Sequence, residues 1–278
     1  MKIRLDCPTC RHWSKTNPHK EYIPSLITIS NTEKNVSRVD CHKHYNIVYF
    51  TNYKYDLLFE SGLKAINDKY YREAVANFAA SLERFYEYIL QIITFELDDD
   101  LKKSSWKYIS NQSERQLGAY YYLFLKEFKI QPITLSNKMI EFRNKVIHKG
   151  FFPDEFEVYN YLKETLNVIN QNIAIILELK NNAIEKYHIQ FVENIRKEAL
   201  DELEKYTYEI SKNKEIVAKE LKSKNITELT VPIYLGKVVQ RIFERNIPTF
   251  LYNKGIFQMR SEEDIGIYIK KLEYNTID

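Results

Sequence analysis

Between Pro153 and Pro232 the chain carries neither glycine nor proline. Proline removes a backbone donor and clashes with the preceding turn, and glycine leaves the backbone too free, so these two residues most often break a helix. A long stretch without either is expected to be helical. Tyr159, Leu162, Leu166, Ile169, Ile173, Ile176 and Leu177 recur at helical steps and form one apolar stripe, which predicts a helix that completes a four-to-five-helix bundle. Phe191, Ile195, Leu203, Tyr206 and Ile210 carry the pattern on through the charged segment from Ile184 to Leu221. This second part predicts a long projecting helix, paired either with a second copy as a coiled coil or with its own chain as a hairpin.

Composition agrees with a mainly α fold. Only 6 glycines and 7 prolines occur in 278 residues, and 44% hydrophobic content is ample for a core. The net charge is +3, from 41 basic and 38 acidic side chains, so no global field draws the protein to nucleic acid. Any RNA contact must be a local patch. The opening Met1 to Asp6 has no signal-peptide apolar region, and no run approaches the ~18 apolar residues of a membrane span. The expectation is a cytoplasmic protein without a membrane partner.

From Tyr53 the apolar residues follow a helical period through Leu57, Leu58, Leu63, Ala65 and Ile66. A longer helix is expected from Tyr70 to Leu97, with Ala74, Phe78, Leu82, Phe85 and Ile89 as its stripe. Asp98-Asp99-Asp100 reads as a solvated loop and helix end, because three consecutive residues point in different directions and cannot share a metal. Another helix is expected from Gln112 to Phe128. Its Tyr120, Tyr121 and Tyr122 fit core and interface better than base stacking at this spacing. Ser136 is a candidate cap for a helix over residues 137–148.

That last helix closes on Arg143-Asn144-Lys145-Val146-Ile147-His148-Lys149-Gly150. At about 100° per residue, Met139, Ile140, Val146 and Ile147 fall within about 60° of Arg143, which places a guanidinium in the apolar stripe. Such a group keeps its proton and needs a carboxylate, an anion or a subunit boundary. Asn144 and His148 stand one turn apart on the flank of the stripe, and Gly150 and Pro153 end the helix. The helix dipole there favours the charged imidazolium. A fixed cation beside a histidine suits RNA cleavage by internal attack of the 2′-hydroxyl, with the imidazole moving the proton and the guanidinium holding the phosphate oxygens.

These residues resemble the motif of HEPN domains (higher eukaryotes and prokaryotes nucleotide-binding), in which an Arg, a polar residue after it and a His follow at this spacing. The resemblance implies an all-α, frequently dimeric domain. It further implies a metal-independent endoribonuclease of the kind found in toxin and anti-phage systems, with Arg143 and His148 carrying the chemistry and Asn144 supporting it. Ser81-Leu82-Glu83-Arg84-Phe85 is similar to the first main helix of those domains, where an acidic residue often faces the cleft. Glu83 is therefore the candidate to hold Arg143 or orient His148, against a surface role paired with a lysine.

All three cysteines and four of the six histidines precede residue 45. Cys7-Pro8-Thr9-Cys10 and Cys41-His42-Lys43-His44 have the spacing of two zinc knuckles, with Cys7, Cys10, Cys41 and His44 as ligands and His42 as the alternative fourth. The β-favouring runs from Tyr22 to Ile29, Val36 to Val39 and Tyr45 to Phe50 predict a small antiparallel sheet around the metal. The segment resembles zinc ribbons that begin Cys-Pro-x-Cys, although Arg11 stands where a glycine is usual. A structural zinc is implied; reduced free cysteines in a small β domain are the alternative. Lys2, Arg4, Arg11, Lys15, Lys20 and Trp13 read either as a solvated face or as an RNA-reading one.

The expected organisation is a zinc ribbon over residues 1–52, a HEPN-like bundle over 53–185 and a helical C-terminal extension of unknown role over 186–278. Its expected partners are RNA as substrate, a second copy joined through the motif helices, and a regulatory protein. A non-catalytic adaptor of the same fold, binding RNA, a nucleotide or a protein, is the alternative from another functional class.

Overall fold

The computed structural model describes residues 2–5, 25–28, 35–40, 44–223, 234–241, 250–253 and 256–259. They are mostly helical. Two compact units are present, one of residues 1–51 with 190–243 and one of residues 52–189 with 244–278. No described helix is long and apolar enough to cross a membrane.

In the first unit, β1 (Lys2–Leu5) pairs antiparallel with β2 (Ser25–Thr28), and β3 (Val36–Asp40) antiparallel with β4 (His44–Phe50). A third strand, β5 (Tyr234–Arg241), joins β4 in parallel. Ile47 and Tyr49 alternate onto one face, where they meet Val36 and the helical stripe of Ile195, Ala199 and Tyr206. Phe191 and Leu203 pack against the same cluster. The sheet of its own chain thus covers the apolar stripe of the charged helix, which was expected to form a coiled coil or a helical hairpin.

The helix from Glu155 runs to Ser223 without interruption, and the division between the units falls inside it. Residues 190–243 group with residues 1–51, and the part after Ser223 contributes β5, β6 (Phe250–Asn253) and β7 (Ile256–Met259), the last two as an antiparallel pair. Among the described residues the extension over 186–278 is therefore helical through Ser223 and strand beyond it. Of the expected zinc ligands, Cys7, Cys10 and Cys41 lie outside the described residues, as does His42; His44 is the first residue of β4.

The second unit contains α1 (Lys54–Asn67), α2 (Tyr71–Ile93), α3 (Asp99–Ile109), α4 (Ser113–Phe128), α5 (Asn137–His148) and the first part of α6 (Glu155–Ser223). The acidic run opens a helix that the sequence reading missed. Asp98 caps α3 by accepting from the backbone N–H groups of Asp100 and Leu101 at 3.0 and 3.1 Å, and Asp99 and Asp100 occupy the first turn, where the dipole favours anions.

Helix α2 has one of the most buried faces in the unit, with Ala74, Phe78, Leu82, Phe85 and Ile89 all enclosed. Gly62 lets α1 approach it closely, since a Cβ there would stand 2.5 Å from the Phe78 ring. Ser81 Oγ donates to the Tyr55 carbonyl at 2.8 Å and ties the same two helices by a buried polar contact. Gly62→Ala should overpack this crossing and cost about 1–3 kcal/mol. Urea unfolding measures it, and an unchanged midpoint would contradict the close approach.

At the far end of the unit Tyr53, Tyr55, Tyr88 and Tyr187 form an aromatic cluster, and the Tyr53 hydroxyl shares a 2.7 Å hydrogen bond with His188 Nδ1. His188 is packed there, and burial lowers its pKa below the usual 6.5. The unfolded chain then takes up the proton first. Stability from this group is complete above about pH 6.5 and is lost as the pH falls toward the folded value. Between pH 7 and 5.5 the melting temperature should fall more steeply in the wild type than in His188→Gln; parallel curves would exclude the contribution.

Candidate functional site

Helix α5 is fixed at both ends by contacts distant in sequence. At its start Ser136 adopts the extended backbone of a cap, and its Oγ accepts from the Met139 N–H at 3.4 Å. Glu164 of α6 takes the Ser136 N–H on one carboxylate oxygen at 2.5 Å and the Ser136 hydroxyl on the other at 3.1 Å. Two turns along α6, buried Asn172 accepts from the Ile133 N–H at 3.0 Å and donates to the Ile133 carbonyl at 2.8 Å. The loop leading into the helix is therefore held at two points.

At the other end Gly150 has φ +68°, a conformation that costs any residue with a Cβ. The turn allows the Phe151 N–H to reach the Lys145 carbonyl at 3.2 Å, with the Phe151 ring edge-on to Phe142. Arg72 of α2 donates to the Val146 carbonyl at 3.4 Å, placing a cation on the negative end of the helix. The helix stops at His148 for these reasons.

Met139 and Val146 are buried, but Ile140 is 41% exposed, so the stripe is narrower than a wheel predicts. Arg143 lies at its margin. Its Nη2 donates to Glu83 Oε1 at 2.8 Å and its Nη1 to Asn144 Oδ1 at 3.1 Å, with the Arg143 and Glu83 side chains 28% and 32% exposed. The guanidinium thus has the carboxylate that its position required, while part of it remains open to solvent.

Glu83, Arg143, Asn144, His148 and Lys149 are among the residues that line a cavity of about 530 Å³. The volume falls within the range of about 300 to 1,000 Å³ typical of small-ligand sites. Leu82, Tyr86, Leu117, Tyr121 and Tyr161 form much of its apolar wall. Burial pushes the Tyr161 phenol well above its usual pKa; Arg143 opposes the shift and Glu83 adds to it. Burial does the same to Tyr86, with Tyr121, Tyr161 and Glu83 adding to the effect. Both phenols stay neutral at physiological pH.

All four residues of the sequence-derived site, Glu83, Arg143, Asn144 and His148, border this one cavity, and His148 is exposed within it. Tyr86, Tyr161, Glu164, Asn172 and Arg72 were not anticipated. Asn172 alone had a local signal, a polar residue inside the Ile169–Ile176 stripe. Among the described residues no group of three or more His, Cys, Asp or Glu is placed to hold a metal. Comparison of the chain with protein-family models, characterised proteins and solved structures finds no match.

Substitution should separate scaffold from site. Asn172→Ala leaves both backbone groups of Ile133 without their buried partner and should cost about 2–3 kcal/mol. Glu83→Gln weakens a pair that solvent partly screens and should cost about 1 kcal/mol or less. Equilibrium unfolding in urea tests the order; a larger loss at Glu83 would reverse this view of what fixes the helix.

Proposed function

We propose that the cavity is the site of a metal-independent endoribonuclease of HEPN type. The observation that carries this reading is the half-open Arg143, held by Glu83 and Asn144 on the edge of the same cavity that His148 enters. The phosphate of a bound RNA would sit against Arg143, with Lys149 adding charge. An imidazole takes the 2′-hydroxyl proton, the 2′-oxygen attacks phosphorus, and the bond from phosphorus to the 5′-oxygen breaks. The products are a 2′,3′-cyclic phosphate and a free 5′-hydroxyl. In-line displacement places base and acid on opposite sides of phosphorus, so two copies of His148, brought together by motif helices meeting across a two-fold axis, are the natural pair. The second imidazole, as imidazolium, protonates the leaving 5′-oxygen. A homodimer, control by a regulatory partner and a toxin or anti-phage defence role in the cytoplasm belong to the same proposal and rest on the HEPN resemblance.

The N-terminal segment fits a structural zinc ribbon in this reading. In sequence Cys7 and Cys10 lie between β1 and β2, and Cys41 lies between β3 and β4 three residues before His44, which opens β4. Two pairs of ligands, each separated by two residues, are what a closed tetrahedral site uses.

The ion pair itself favours a second reading. An arginine already matched to a carboxylate grips phosphate less strongly, as a non-catalytic adaptor for RNA, a nucleotide or a protein would tolerate.

Incubation of the full-length protein with total RNA in EDTA decides between them. The nuclease reading expects cleavage to cyclic-phosphate ends, with His148→Ala and Arg143→Ala each lowering the rate by about 100-fold or more while the melting temperature stays close to the wild type. No cleavage by the wild type, or undiminished cleavage by both variants, would overturn it. Loss of activity only in step with loss of folding would assign the two residues to structure.

A further inference from the structure

The run Tyr120-Tyr121-Tyr122 is divided by the fold into three environments. Tyr120 is 0% exposed and stacks on Tyr86 with ring centroids 4.4 Å apart. Tyr122 is 72% exposed. Tyr121, 39% exposed, lines the cavity that holds Arg143 and His148.

Two contacts hold the Tyr121 ring in place. Its hydroxyl donates to Thr134 Oγ1 at 2.8 Å, and Tyr120 meets it edge-on at 6.2 Å with 72° between the planes. A ring fixed in this way and still partly open to solvent loses little rotamer freedom when a flat ligand stacks on it. Leu117 and Leu135 continue the wall in apolar form, while the cavity's opposite chemical character comes from Arg143, His148 and Lys149. An unpaired nucleotide matches both, a flat apolar base joined to an anionic phosphate. A paired base is stacked within its helix and has no free face to offer.

We infer that Tyr121 is a stacking platform for one unpaired nucleobase of single-stranded RNA whose phosphate meets the Arg143 and His148 edge. This deepens the ribonuclease reading and rests on its cavity, but it concerns recognition, so binding tests it without cleavage.

The probe is a short fluorescein-labelled oligouridine with 2′-fluoro sugars, which lacks the attacking hydroxyl, titrated into the full-length protein and followed by anisotropy. Tyr121→Leu should weaken binding by about tenfold, within the range for a lost base–aromatic stack. Tyr121→Trp should keep the affinity. An abasic oligomer of equal length should bind wild type and Tyr121→Leu alike, and duplex RNA should be insensitive to the substitution. Equal affinity of Tyr121→Leu and wild type for the oligouridine would overturn the inference, as would an abasic oligomer that binds the wild type as tightly. If Tyr121→Leu melts early, Tyr121→Trp decides: a folded Trp variant that has lost binding also overturns it. Cleavage by the wild type with Tyr121-independent binding sinks this inference alone, whereas Tyr121-dependent binding without cleavage sinks the nuclease reading alone.

Discussion

The ion pair between Glu83 and Arg143 joins the two helices that carry the candidate chemistry. A guanidinium cannot shed its proton to escape a poorly hydrated position, so its placement at the edge of an apolar stripe demands an anion. Glu83 of α2 supplies one at 2.8 Å, and Asn144 occupies a second nitrogen. With both side chains about a third exposed, solvent screens the pair and its contribution to stability is small. Its importance is geometric. It fixes which way the guanidinium faces, and so where an incoming anion would meet it.

The long helix α6 provides the frame for that geometry. Through Glu164 and Asn172 it grips the loop and cap that start the motif helix, and through Tyr161 it forms part of the cavity wall. Hydrogen bonds from a buried amide to both polar groups of one backbone residue are costly to break, because the amide that makes them is shielded from water. Gly150 and Arg72 set the other end. His148 is thereby placed by contacts made elsewhere, and the exposed side chain itself needs few.

Much of the helical body was legible because its signals are local. Ser136 before an apolar repeat, and glycine and proline after His148, define a helix within a few residues, and the structure gives Asn137–His148. Glu83 was legible for another reason: a charge in an apolar stripe calls for some anion, and the resemblance of Ser81 to Phe85 to the first main HEPN helix pointed to which one. Other features had no local signature. Strand β5 pairs in parallel with β4 although every described helix lies between them in sequence, and no periodicity in either segment announces such a pairing. The acidic run at residues 98–100 read as a solvated loop and helix end, without the helix it opens, because its cap function depends on the residues that follow. Ile140 fitted the apolar stripe on a wheel yet is exposed, because a wheel carries no information about what a helix packs against. The three consecutive tyrosines were indistinguishable until the fold assigned each its surroundings.

The central claim is that Arg143 and His148 face one anion together. Titration of the full-length protein, labelled with nitrogen-15, with a 2′-fluoro dinucleotide tests this most directly, with the Arg143 side-chain Nε–H and the His148 ring followed by NMR. The account predicts that both signals shift along a common saturation curve, and that Glu83→Gln moves the Arg143 signal in the unliganded protein. Shifts confined to exposed lysines, with Arg143 and His148 unmoved at saturation, would contradict it.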